Sequence, residues 1–210
     1  MVEALVICIL GFLWYQFIAV FGISIGLHRH FAHRQFNISK SYEVIVLFLI
    51  TLTGARSPLG WIGAHRMHHA YADTTNDPHS PDIEGFWKIF FNQWTCQNIS
   101  RKYIKDVVVN PRIIFFHRYW KYIHLSAAVV TLVVGLDFFI ILIVFPYILG
   151  FVGYGFFNAG GHKNYAPRTN FWINILSAGE GFHDIHHKNE KLTRLNRYDI
   201  SGIVIERIIK

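Results

Sequence analysis

Residues 65–69 read His65-Arg66-Met67-His68-His69, and residues 183–187 read His183-Asp184-Ile185-His186-His187. Both put histidines at i, i+3 and i+4, positions that share one face of a helix, so each cluster can aim three imidazoles into a common space. Residues 28–33, His28-Arg29-His30-Phe31-Ala32-His33, hold a further pair five positions apart. On a regular helix that pair lies about 140° apart, so a bend at the helix end, or ligands gripping from two sides, is needed to unite it. His162 closes the stretch Asn158-Ala159-Gly160-Gly161-His162. Of the 13 histidines, nine fall in these groups, while His30, His79, His117 and His124 stand apart and read as structural, interfacial or supporting residues.

Long apolar stretches separate the clusters. Hydrophobic residues make up 52% of the 210-residue chain and aromatics 17%, too apolar for an ordinary soluble domain and suited to a membrane protein. Ala4 to Leu27 is broken only by Gln16 and Ser24 and is long enough to span. It lacks the basic start and small-residue cleavage site of a signal peptide. Two more spans are expected at about Tyr119–Leu136 and Phe138–Phe157, with Gly135 and Asp137 at the turn. The run Val44 to Ala55 is too short to cross, and parity agrees. If it crossed, the clusters on either side of it would face opposite compartments and could not share a metal. The expected fold is therefore an all-α integral membrane domain over residues 1–210, with about three spanning helices (4–27, 119–136, 138–157) and a non-spanning apolar segment (44–55). Residues 28–118 and 158–210 form a cytoplasmic, histidine-rich cap. Within it, Ile83–Trp94 is aromatic enough for the headgroup layer, and 188–210 reads as a short amphipathic helix.

All 20 Lys and Arg lie in 28–121 and 163–210, the stretches that carry the histidine clusters, and none lies in 1–27 or 122–162. Basic residues favour the cytoplasmic side, so the multi-pass chain should present its histidines there, with the N-terminus opposite. The net charge of +7 borders membrane segments and accompanies no nucleic-acid motif, so no nucleic-acid partner is expected. Cys8 sits in an apolar run and Cys96 in a polar one, which speaks against a disulfide framework and against thiolate ligation.

Neutral imidazoles suit Zn, Cu, Fe and Ni. Eight or nine of them exceed one coordination sphere, so two ions are implied. A structural zinc closes its sphere with four ligands. The carboxylate-rich pattern of soluble di-iron bundles is missing. An all-histidine pair leaves the metal charge to be offset by nearby carboxylates, which also orient the rings. Asp73, Asp77, Glu180 and Asp184 are the candidates.

The order H-x4-H, H-R-x-H-H and G-E-G-F-H-x-x-H-H, with N-x3-H before the last, resembles the membrane fatty acid desaturases, and within them the delta-9, stearoyl-CoA desaturase-like branch. Trp61 and the run His65 to His79, through Asp77-Pro78-His79, match that branch, as does Gly179-Glu180-Gly181-Phe182-His183. The resemblance covers residues 20–187. It implies two iron ions on the cytoplasmic face, held by His28, His33, His65, His69 and His186 on one side and by His68, His162, His183 and His187 on the other. Asn158 matches a position that hydrogen-bonds a metal-bound water. The implied activity is O2-dependent introduction of a cis double bond, at delta-9, into a saturated fatty acyl chain. The implied partners are an acyl-lipid or acyl-CoA substrate, membrane lipid, and a separate electron donor such as ferredoxin or cytochrome b5.

The chain departs from that pattern in three places. It has room for one spanning helix before the first cluster, where the animal enzymes have two. Gly63-Ala64 replaces the Arg-Asp with which acyl-CoA enzymes touch the coenzyme. Asp184 stands where Asn is usual, and is expected to offset metal charge or orient a ligand. The rival readings are a hydroxylase or ketolase on the same centre, and a histidine-rich metal transporter. The transporter would want polar residues inside its spans, and 138–157 is almost wholly apolar.

Overall fold

The computed structural model describes residues 2–92 and 98–209. Trp94 and Cys96 lie outside the described residues. Among the described residues the regular structure is helical, with two isolated antiparallel bridges, His162 to Pro167 and Thr169 to Phe182.

The first helix, α1 (Val2–Ala32), outruns the expected span by five residues at its C-terminal end and changes winding on the way. Val2–Phe17 is α-helical, and the next 15 residues, Ile18–Ala32, are π-wound. A π-helix pairs residue i with i+5 and usually lasts a single turn. The wide winding packs closely against α2 (Lys40–Leu52): a Cβ at Gly26 would sit 2.3 Å from Val46 Cγ1, so only glycine lets the two backbones approach.

Helix α2 is the apolar run expected not to cross. Its 13 residues reach about 20 Å, short of a ~30 Å hydrocarbon core. The Ser39 side chain caps it by accepting from Tyr42 N. Helix α3 (Pro58–Tyr71) follows, started by the Ser57 cap and Pro58, and carries His65, His68 and His69. Next come α4 (Pro81–Glu84) and α5 (Phe86–Asn92). In the aromatic run expected at the headgroup layer, Trp87 and Phe91 are exposed, while Phe90 packs on Phe151 and Phe156.

Helix α6 (Pro111–Val134) begins eight residues before the expected second span. Its first half holds Arg112, Arg118 and Lys121, so only its second half is uniformly apolar. After the break at Gly135, α7 (Leu136–Gly160) runs 25 residues with a π-wound stretch at Ile140–Val144. Two helices, α1 and α7, are long and apolar enough to cross a membrane. Short helices close the chain: α8 (Phe171–Leu176), α9 (His183–Lys188) and α10 (Ile200–Val204), the last continued by a π turn at Ile205–Ile209. The helix expected over 188–210 is thus confined to its second half.

The largest buried apolar cluster joins Ile23 and Leu27 of α1, Val46 and Ile50 of α2, Ile62 of α3, Ile113 of α6 and Tyr154 of α7. Each such aliphatic side chain contributes about 1.5–3 kcal/mol where it leaves water. The cluster locks five helices into one unit, among them α1 and α3, so the His28, His65, His68 and His69 rings are set by packing.

Candidate metal centre

Nine imidazoles gather in two groups. His28, His33, His65, His69 and His186 present ligand atoms that all lie within 4.8 Å of one another, and His68, His162, His183 and His187 do the same. In the first group the Nε2–Nε2 distances are 3.0 Å for His28–His33, 2.8 Å for His33–His65 and 3.1 Å for His69–His186. In the second they are 3.1 Å for His68–His162, 3.0 Å for His162–His183 and 3.0 Å for His183–His187.

The π winding brings His28 and His33 together without a bend. His33 N donates to His28 O at 3.0 Å, an i to i+5 bond that stacks the second residue over the first. The sequence clusters also divide differently from their shared face. On α3, His65 and His69 are i, i+4 and about 40° apart, so they stay in one group, while His68 points into the other. On α9, His183 and His187 stay together and His186 crosses over. The two groups touch at this seam, where the His69 and His187 rings stack with centroids 4.3 Å apart.

Carboxylates stand behind the rings. His68 Nδ1 lies 2.8 Å from Asp77, His162 Nδ1 2.9 Å from Asp73, and His33 Nδ1 3.1 Å from Glu190. His28 Nδ1 is 2.9 Å from Glu180 Oε2, a charge contact whose angle falls short of a hydrogen bond. A carboxylate accepts, so it selects the Nδ1–H tautomer and leaves Nε2 bare. His68 and His162 are both held this way, yet their Nε2 atoms sit 3.1 Å apart with no proton to share. Two lone pairs facing each other repel, and a cation between them removes the repulsion. The donor set therefore fits a metal. Burial and mutual repulsion hold the His65, His69, His183 and His186 rings well below the usual imidazole range. Burial likewise lowers His33 to about 4 and His187 to about 2. Neutral rings are the form that binds metal. Burial works against the Glu180 carboxylate, but His28 and Arg29 beside it bring it down to about 2.

A cavity of about 30 Å³ opens between the groups, lined by Trp61, Ala64, His65, His68, Phe157 and Asn158, room for about two waters. Asn158 thus faces the shared space. Gly63 packs inward: a Cβ there would meet Ile99 Cγ2 at 2.6 Å.

Asp184 is a correction. Its carboxylate takes the Thr169 hydroxyl and lies 3.7 Å from Lys188, so it braces the start of α9 rather than a ligand ring. Glu190, in contrast, escaped the sequence reading. It lies three residues past the last histidine, with no spacing rule to mark it. Of the four remaining histidines, His30 Nδ1 is 2.8 Å from Phe36 O, His117 Nδ1 2.6 Å from Ser57 Oγ and His124 Nδ1 2.8 Å from Thr51 O, all helix or loop braces. His79 lines the cavity, with its ring centroid 6.3 Å from that of His68.

Comparison with known proteins gives one answer. The model of the fatty acid desaturase family matches residues 4–196. The sn-1 stearoyl-lipid 9-desaturase of Synechocystis sp. is 31% identical over 192 residues, covering 85% of this chain and 60% of its own length. The acyl-CoA C20 Delta5-desaturase of Anemone leveillei is 30% identical, covering 87% and 63%, and the Delta-9 acyl-lipid desaturase 2 of Arabidopsis thaliana is 28% identical, covering 92% and 69%. The chain spans about three-fifths of the length of the first two. With the histidine motifs, their convergence into two groups and a family match over almost the whole chain, the protein belongs to the fatty acid desaturase family.

Proposed function

We propose that the protein is an O2-dependent fatty acyl desaturase that introduces a cis double bond at delta-9, with two iron ions held by the nine histidines. The convergence of five and four bare imidazole nitrogens carries this reading. When bound, the iron pair supplies the oxidising power to break an unactivated C–H bond, which side-chain acid–base chemistry cannot.

The chain's own residues do the rest. Asp73, Asp77 and Glu190 hold His162, His68 and His33 in the metal-binding tautomer, and Glu180 adds negative charge beside His28. Trp61 and Phe157 supply apolar wall to the cavity beside the histidines. Asn158 is the one uncharged amide on that wall, suited to hold a water. Positioning matters because a small misplacement of the reacting methylenes costs rate steeply.

The proposed substrate carrier is a lipid. Gly63 is buried against Ile99 and Ile104, with no room for the arginine that touches the coenzyme in acyl-CoA enzymes. In this reading α1, residues 119–136 and α7 cross the bilayer and the histidine groups face the cytoplasm, where an acidic electron donor such as ferredoxin or cytochrome b5 meets a basic surface.

The test is expression in a host that lacks unsaturated fatty acids, followed by mass spectrometry of its lipids. A cis-9 monoene on glycerolipid is the expected product. A hydroxylated or keto product without an alkene would replace desaturation with the rival oxygen-insertion chemistry. Readily exchanged zinc and no oxidised lipid would favour the transporter.

A further inference from the structure

Behind the five-histidine group lies a buried charge cluster that the metal ligands do not account for. Arg29 follows His28 in sequence and meets the same Glu180 carboxylate, with its side chain 1% exposed. Its Nε donates to Glu180 Oε1 at 3.2 Å and its Nη2 to Asp199 Oδ2 at 2.9 Å. Its Nη1 donates to Thr193 O at 2.6 Å. The Ser24 hydroxyl also donates to Glu180 Oε1, which leaves Oε2 to face His28 Nδ1.

Asp199 is itself fixed from the far side. Its carboxylate accepts from Leu195 N and from Gly202 N, each at 2.8 Å, and it is fully buried. The backbone is shaped around it: a Cβ at Gly179 would lie 2.4 Å from Asp199 Oδ1, and one at Gly202 2.6 Å from Oδ2. Gly179 adopts φ +109°, open to glycine and strained for other residues, and it immediately precedes Glu180.

A buried ion cluster is poor value as a stability device, because desolvating the charges cancels most of their attraction. The arithmetic of this one points elsewhere. One guanidinium against two carboxylates leaves one net negative charge, and the free oxygen of that set faces His28. We propose that Asp199, delivered by the segment between α9 and α10, is a positioning residue for the five-histidine site. Through Arg29 it sets Glu180 against His28, so the C-terminal segment latches one metal site and not the other. The inference rests on the two-ion reading above.

Asymmetry is what tests it. Helix α9 supplies ligands to both groups, so general loosening of the C-terminal segment would weaken both. The full chain, purified in nanodiscs and loaded with iron, is challenged with a chelator, and ions lost per chain are followed in time. In Asp199→Asn one ion should leave about tenfold faster, the low end for a partner behind a ligand, while the other leaves at the wild-type rate. Arg29→Lys, which keeps the charge but cannot fork between two carboxylates, should give the same split. This second variant carries the test if Asp199→Asn does not accumulate in membranes. In the cobalt-loaded protein, only one of the two ligand-field spectra should shift. Equal acceleration of both ions, or no acceleration, overturns the latch while leaving the two-ion reading intact. A wild-type chain that binds no ions overturns both.

Discussion

The two histidine groups share α3 and α9, yet they are braced from different distances. The four-histidine group is held by Asp73 and Asp77, both in the turn that follows α3 and its own His68. Asp77 also accepts from the backbone of Asp73 and His79, so that turn is a self-contained bracket. The five-histidine group is held by Glu180 and Glu190, which flank α9 and reach His28 and His33 across most of the chain. One site takes both its braces from a single turn, although its ligands come from distant parts of the chain. The other takes its braces from residues that meet their rings across most of the chain.

Ligand removal should separate the two most sharply. His68→Ala or His187→Ala leaves three imidazoles in its group, too few to close a sphere. Either variant should lose all desaturation and one ion per chain while still inserting in membranes, since these residues lie outside α1 and α7. His69→Ala leaves four imidazoles and should keep its ion, though more weakly. Metal analysis of purified variants checks this, and equal ion loss from both groups would erase the distinction.

The braces come next in size. Asp77 is buried, and Asp77→Asn exchanges an acceptor for an amide against His68 and two backbone donors. Affinity of the four-histidine site should fall about 10–100-fold. The Glu190 side chain is 45% exposed, so water can stand in for it, and Glu190→Gln should cost less than about tenfold at the five-histidine site. Competition with a chelator of known affinity measures both. The reverse order would mean that the distant brace is the stronger.

A smaller effect should come from the packing that sets His28 and His33. Gly26→Leu drives a side chain into Val46, and overpacking of this kind costs about 1–3 kcal/mol. Thermal unfolding of the detergent-solubilised protein should drop accordingly, with metal lost first from the five-histidine group. An unchanged midpoint would show that α1 and α2 do not approach as closely as the π winding requires.

The contrast between local and distant also explains what was legible in the sequence. The i, i+3, i+4 clusters named six of the nine histidines, because helical periodicity is a short-range rule, while His28, His33 and His162 came with the family motif. Asp73 and Asp77 were found for the same reason, being a few residues from His68 and His69. The pairing of His28 with His33 was legible as a need but not as a structure, since a 15-residue π winding has no residue signature to read. Glu190, Asp199 and the far side of Arg29 stayed hidden because they meet their partners only through tertiary contact. The start of α6 at Pro111 was not legible either, because its charged first turns look like cap although they continue the same helix.

Asp184 gives the smallest expected effect and the cleanest limit on the comparison. It sits between two ligands in sequence, and by position alone it should matter as much as Asp77. In the structure it is a half-buried brace between Thr169 and Lys188. A partly exposed pair of this sort contributes about 0–1 kcal/mol. Asp184→Asn keeps the oxygen that takes the Thr169 hydroxyl and restores the amide usual at this position. It should therefore bind both ions with wild-type affinity and turn over at the wild-type rate, as should His117→Ala. Loss of either ion from Asp184→Asn would return that carboxylate to the metal's surroundings. The four-histidine group would then have a brace on α9 as well, and the division between a site braced from one turn and a site braced from afar would fail.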